Sequence, residues 1–310
     1  MNIKSSKVFA LFKEYSNKNI IFIQPKGNWG DVLIFKGAEK LADLANVQYK
    51  SISCEEFKDT SFTEDHILYI FGNGGFNDIW DGEHINAFSK AVSTHPGVVI
   101  LGPTTFFDDS DFLQKKVLEI FKNIKAKKIY MFSRGIQSYK SLENKLPKEV
   151  VFELEHDTAL NIERIDLPPT RIQGKGKLYA IRNDKEATKI IRFNPFILWM
   201  DPVLFSKSFE EWFYIHDGVE EIITNRLHSA ILGTILNKKV TLLANSYHKN
   251  SGLWEFSLKE LGVQWKDNIQ PEGLDKYLIQ TNIYKWIANS YKFKHFVINS
   301  YLKKINLISK

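Results

Sequence analysis

An arginine and a histidine stand two residues apart in TNRLHS (224–229), where the apolar run EEIIT gives way to the apolar segment LHSAILGTI. A guanidinium binds phosphate or carboxylate bidentately, and an imidazole gives and takes protons near neutral pH. Arg226 and His228 together therefore suggest an anion site with a proton-transfer group beside it. Thr224 or Asn225 is the expected N-cap, with Arg226 in the first helical turn. A basic side chain is disfavoured there by the helix dipole, unless an anion shares the helix end. The plainer alternative is a capped helix with a salt bridge.

Other residues of the same chemical kinds follow strand-like runs. GNWGDVLI (27–34) supplies Asn28 and Asp31 in a glycine turn before a helix, where free N–H groups favour an anion. It matches neither GxGxxG nor the phosphate-loop pattern. FGNGGFND (71–78) supplies Asn73 and Gly74; its glycines answer either tight backbone packing or close approach of a ligand. Arg134 and Arg182 end strands and are further anion-binding candidates, whereas Arg192 is less well placed. NSYHKN (245–250) brings Ser246 and Lys249 to another strand end. Asp109 and Asp111 form a D-x-D pair that reads more simply as helix capping, and no zinc-ligand spacing is present. Cys54 is the sole cysteine, so no internal disulfide can form.

These residues need a scaffold that gathers strand ends. Apolar β-branched runs at 19–25, 66–75, 97–103 and 128–134 alternate with helical patterns at 31–45, 83–95 and 111–125. That alternation implies a parallel sheet covered on both faces. IDLPPTRIQGKGK (165–177) reads as a linker, after which strands at 178–182, 220–224 and 239–245 begin a second series. The expected architecture is α/β: two Rossmann-like domains, 1–165 and 178–280, facing a cleft, followed by a helical tail at 281–310. In such sheets ligands bind beyond the carboxyl ends of the strands, where each of these motifs falls.

The bulk properties fit a soluble globular chain. It has 310 residues, 44% hydrophobic and 25% charged, with a net charge of +6. The six lysines of residues 281–310 account for that whole excess, because without them 36 basic residues face 36 acidic ones. Lysines mixed with Trp286, Tyr291 and Phe293 suit an anionic membrane surface. Nucleic acid is not expected, since no binding module accompanies the charge. Neither a signal peptide nor a membrane-spanning run is apparent, so a cytoplasmic location is expected, peripheral to the membrane's inner face through the tail.

In order and spacing, GNWGDVLI, FGNGGFNDIW, SRGIQSYKSL, HDTALNI, LYAIRNDKEAT, TNRLHSAILGTILNKKV and LANSYHKNSG resemble the polysaccharide pyruvyltransferase family. The chain departs from the pattern at Gly135, where an acidic residue is common, and in reading Gly-Asn-Gly-Gly. The resemblance implies a fold similar to GT-B glycosyltransferases and transfer of a pyruvyl unit from phosphoenolpyruvate to two hydroxyls of a sugar, giving a ketal. It gives Arg226 a donor-binding role and His228 the acid–base role. Arg134 or Arg182 would assist at the donor's charges, and Lys249 would neutralise departing phosphate. Asn28, Asp31, Asn73, Gly74, Asn225 and Ser246 would line the substrate site. No cofactor is expected beyond phosphoenolpyruvate as co-substrate, and the partner is a sugar acceptor, presumed lipid-linked oligosaccharide. The competing functions are a glycosyltransferase using an activated sugar on the same fold, and a non-catalytic membrane-associated assembly protein.

Overall fold

The structure is a computed structural model that describes residues 5–74, 76–80, 82–171, 174–182, 184–188 and 199–267. Arg192 and the tail at 281–310 lie outside the described residues. The chain forms two compact units, Met1–Glu163 with Ser251–Ser257, and Arg164–Asn250 with Leu258–Lys310. Each is described by itself.

The first unit is built on six parallel strands: β1 (Asn19–Gln24), β2 (Tyr49–Ser53), β3 (His66–Ile70), β4 (Val98–Thr104), β5 (Lys128–Ser133) and β6 (Val150–Leu154). Their order is β2-β1-β3-β4-β5-β6. Every residue of β4 is buried, as expected of a strand covered on both faces. The covering helices are α1 (Lys7–Glu14), α2 (Asp31–Leu44), α3 (Cys54–Lys58), α4 (Glu83–Thr94), α5 (Ser110–Phe112) and α6 (Ile136–Leu142). The single helix expected over 111–125 is instead α5 followed by a π turn, Leu113–Val117, and a 3-10 segment, Leu118–Asn123. It still buries Leu113, Val117 and Ile120. Phe12 of α1 meets Phe22 of β1 and Tyr69 of β3 edge-on. The buried Glu155 carboxylate accepts the Lys7 and Val8 N–H groups at the start of α1, tying it to the end of β6.

The second unit has five parallel strands: β7 (Lys177–Ala180), β8 (Trp199–Met200), β9 (Glu221–Thr224), β10 (Lys239–Leu243) and β11 (Gln264–Lys266), in the order β11-β10-β9-β7-β8. Its helices are α7 (Pro202–Phe205), α8 (Phe209–Asp217) and α9 (Leu227–Ile235), and α10 (Lys249–Leu253) begins here. The stretch expected as a free linker packs onto α8 as part of this unit. The Arg171 guanidinium lies 4.0 Å over the Tyr214 ring, and Arg164 faces Phe213 while donating to the Pro168 carbonyl at 2.6 Å. Residues Ser251–Ser257, expected in the second domain, belong to the first unit. There Phe256 stacks on His156 with ring centroids 4.6 Å apart, and the Ser257 hydroxyl is 2.8 Å from His156 Nδ1.

The chain order reverses between β1 and β3 in the first sheet and between β7 and β9 in the second. Parallel strands on either side of such a point send their connections to opposite faces, leaving a crevice at the strands' carboxyl ends.

One glycine sets how closely helix and turn approach in the first unit. A Cβ at Gly37 would lie 1.9 Å from the Thr158 carbonyl oxygen, while the Thr158 hydroxyl donates to the Ile34 carbonyl at 2.9 Å. Alanine ordinarily favours a helix over glycine by about 1 kcal/mol. Here Gly37→Ala is expected to destabilise by about 1–3 kcal/mol through overpacking, read by urea denaturation; a variant as stable as wild type would contradict this packing.

Candidate functional site

The crevice between β7 and β9 collects the polar residues of the second unit. The Asn225 side chain accepts the Arg182 N–H at 2.8 Å, joining the ends of the two strands. That commitment explains why Asn225 does not cap α9 as expected. Arg226 itself occupies the N-cap position, without a side-chain cap, and its N–H donates to the Thr224 hydroxyl at 2.8 Å. Asn250 continues the clamp, donating to the carbonyls of Asn225 and Leu243, both at 2.9 Å.

Three carboxylates that the sequence reading did not single out organise the cations here. Asp184 takes Arg182 Nε at 2.7 Å and Nη2 at 2.9 Å, and also Arg226 Nη2 at 3.0 Å. Asp201, delivered by the end of β8, receives Arg226 through Nε at 2.8 Å and through Nη2. Glu186 accepts from Arg182 Nη1 and from Lys249 Nζ, with Asn245 Nδ2 at 3.4 Å. Burial pushes the Asp184 carboxyl up, but the Arg182 hydrogen bonds and the charges of Arg182 and Arg226 outweigh it and hold it below the usual range. Desolvation likewise opposes the Arg182 charge, and Glu186 and Asp184 more than restore it. Three cations thus meet three anions, and of the nitrogens of Arg182 and Arg226 it is Arg226 Nη1 that donates to no carboxylate among the described residues. A signal for this was present in RNDKE, whose acidic residues follow a strand-ending arginine at i+2 and i+4.

His228 lies in the first turn of α9 and is half-buried as a residue, with its Nε2 atom shut off from solvent. Ser229 beside it is anchored by His216 of α8. His216 Nδ1 must donate to the Trp212 carbonyl, at 2.7 Å, which leaves Nε2 to accept from the Ser229 hydroxyl at 2.9 Å. Ser246 is exposed, with its N–H on the Glu186 carbonyl at 3.1 Å. The second unit therefore gathers Arg182, Asn225, Arg226, His228, Ser246 and Lys249 around one group of strand ends.

The remaining candidates belong to the first unit, and their contacts are of another kind. Arg134 is fully buried, with Nε on the Thr105 hydroxyl at 3.1 Å and Nη1 paired with Asp157. An interior carboxylate thus balances its charge, and its Nη2 is buried with no hydrogen-bond partner among the described residues. Asn28 and Asp31 close a turn on themselves, with the Asn28 N–H and Nδ2 donating to Asp31 at 2.8 and 2.9 Å. In the second glycine loop the Asn73 carbonyl accepts from the Thr104 hydroxyl, and the Gly74 carbonyl accepts from Asn77 at 2.5 Å. A Cβ at Gly72 would meet the Pro103 carbonyl oxygen at 2.2 Å, so tight backbone packing accounts for that glycine. Asp109 caps α5 through the Phe112 N–H at 2.9 Å, and Asp111 pairs on the surface with Lys115. Cys54 is buried, and burial with Glu83 nearby pushes its thiol up to about 12.

Against known families, residues 28–247 match the model for polysaccharide pyruvyl transferase. The chain belongs to the polysaccharide pyruvyl transferase family. The match starts at Asn28, takes in Arg226 and His228, and extends into the loop before Lys249. A relative is EpsO of Bacillus subtilis (strain 168), for which pyruvyl transfer is itself a proposed activity; it is 24% identical over 266 residues, covering 73% of this chain and 80% of its own. A crystal structure of a functionally uncharacterized protein of Klebsiella pneumoniae superimposes with a TM-score of 0.63 at 20% identity. It covers 86% of this chain and 99% of its own, which shows the α/β fold with parallel sheets. Family membership makes the chain a transferase of polysaccharide synthesis. No helix among the described residues is long and apolar enough to cross a membrane.

Burial lowers His216 from its ordinary 6.5 to about 4, the Trp212 carbonyl offsetting only part of the effect. Between those values the unfolded chain takes up the proton and the folded one does not. The stabilisation is complete above pH 6.5 and is lost as pH falls toward 4, by roughly 3 kcal/mol at the limit. Denaturation at pH 7 and pH 4 should show that loss in wild type and a smaller one in His216→Gln; equal slopes would count against it.

Proposed function

We propose that the protein transfers a pyruvyl unit from phosphoenolpyruvate to two hydroxyls of a sugar in a cell-surface polysaccharide, such as a capsule, lipopolysaccharide or exopolysaccharide, or in its lipid-linked precursor, forming a ketal. The observation that carries this reading is the meeting of Arg182 and Arg226 on a single carboxylate at the strand reversal, with His228 in the first turn of the adjoining helix. Two guanidinium groups sharing one anion are spaced to share another, and a compact phosphorylated acid offers both a phosphate and a carboxylate.

The chemistry asks for little else. A proton is added to the methylene carbon of the enol, and a sugar hydroxyl adds to the neighbouring carbon while giving up its own proton. A second hydroxyl then displaces phosphate and closes the ketal. Each step needs one group that gives and accepts a proton near neutral pH, and His228 is assigned to it. Arg226, through its open Nη1, and Arg182 hold the donor's charges. Lys249 balances Glu186 in the resting protein and stands near the phosphate as it leaves. Asn225 holds the two strand ends in register, and Ser246 lies at the exposed margin. Asn28, Asp31, Asn73 and Gly74 form the rigid loops of the first unit and are assigned to the acceptor. The proposed location is the cytoplasm, at the inner face of the membrane.

His228→Ala should fold as wild type and lose pyruvyl transfer by roughly 10²–10⁴-fold. The reading is tested by mass detection of a pyruvyl gain on lipid-linked oligosaccharides supplied with phosphoenolpyruvate. Undiminished transfer by the variant would remove the acid–base role. Thermal stabilisation by a sugar nucleotide, and none by phosphoenolpyruvate, would move the activity to glycosyl transfer.

A further inference from the structure

We infer that Asp184 occupies the anion seat between Arg182 and Arg226 in the free protein and gives way to the donor, so that it sets the affinity and selectivity of that seat. The inference deepens the proposed function and rests on it for the donor's identity, but the seat itself is read from the geometry alone.

Three carboxylates surround the guanidinium groups, and they are not equivalent. The Glu186 side chain is 2% exposed and receives Arg182, Lys249 and Asn245. That of Asp201 is 4% exposed, and besides its paired bonds from Arg226 it accepts the Val203 N–H at the start of α7. Removing either from its partners would strand an anion or a cation in the interior, which is strongly unfavourable. Asp184 differs on two counts. Its side chain is 27% exposed, and it alone bonds both arginines.

The hydrogen bonds lead to the same place. Arg182 has Nε and Nη2 on Asp184 and Nη1 on Glu186, so three of its five N–H groups, including the whole Nε edge, are committed to carboxylates. Arg226 keeps Nη1, but Nη2 is shared between Asp201 and Asp184. A dianionic phosphate approaching these groups while Asp184 stays in place reaches only the N–H groups that the carboxylates leave over, and it adds negative charge to a cluster already in balance. With Asp184 turned toward solvent, Nε and Nη2 of Arg182 and Nη2 of Arg226 become available together. The incoming group then replaces one carboxylate by a phosphate or carboxylate, and the guanidinium groups keep an anionic partner throughout. An uncharged ligand has no means of making that exchange, so the seat discriminates for anions able to compete with an aspartate.

The test uses the full chain and inorganic phosphate, then phosphoenolpyruvate, with binding measured by calorimetry. Asp184→Asn keeps the shape and removes the charge; it should bind phosphate at least about tenfold more tightly than wild type. Asp184→Ser, which also retains an oxygen for the Glu186 N–H now bonded at 3.1 Å, should shift in the same direction. Asp201→Asn should bind more weakly, because it loosens Arg226. Equal or weaker phosphate binding in the folded Asp184 variants would overturn the inference and make Asp184 a positioning residue. Tighter phosphate binding without any pyruvyl transfer by wild type would leave the seat standing and defeat the proposed function.

Discussion

Charge neutrality inside the strand-end crevice is the constraint on which the second unit depends. Arg182, Arg226 and Lys249 are buried where five parallel strands end, and a buried cation without a counter-ion is costly enough to unfold a marginally stable domain. Asp184, Glu186 and Asp201 meet that demand from two different connections. The loop after β7 gives two of them and the end of β8 the third, so a two-residue edge strand is retained in the sheet partly because it delivers Asp201. The site and the fold are stabilised by the same ion pairs. Removing one of these anions outright would leave the cations exposed to each other.

Helix α9 is fixed independently of those charges. Its apolar body lies on β9 and β10, and its first turn is joined to α8 through neutral His216 and Ser229. His228, in that turn, gains a defined backbone position from a neighbour that stays uncharged. Two histidines twelve residues apart are thus set differently: His216 is kept neutral by full burial and holds the helix, and His228 is half-buried at the helix start.

Alternation of strand and helix was legible because parallel strands covered on both faces are continuous apolar runs, as β1 and β4 are. The edge strands were missed for the converse reason. YKSIS of β2 buries only Ile52, and every residue of β6 is half-buried, so neither carries an apolar run. Arg226 and His228 were visible from their residue types at a strand–helix junction. Their carboxylate partners were not, because an ion pair between β8 and β9 leaves no mark on either segment alone. Arg134 ends a strand as Arg182 does, and its buried partner Asp157 stands 23 residues on, beyond the reach of any local pattern. Gly37 looked like an ordinary helical residue, since nothing in DVLIFKGAEKLADL announces the Thr158 carbonyl against it.

The route of the backbone through Ser251–Ser257 has a consequence for how this architecture can be divided. Those seven residues are contributed to the first unit from a segment that lies between β10 and β11 of the second. Severing the chain after Glu163 would consequently yield no intact half: one fragment would lack the Phe256 and Ser257 partners of His156, and the other would carry them as an unaccommodated insertion. The units are not modular cassettes, and exchange of one of them between relatives requires three junctions in the gene, one near residue 163 and one on each side of 251–257.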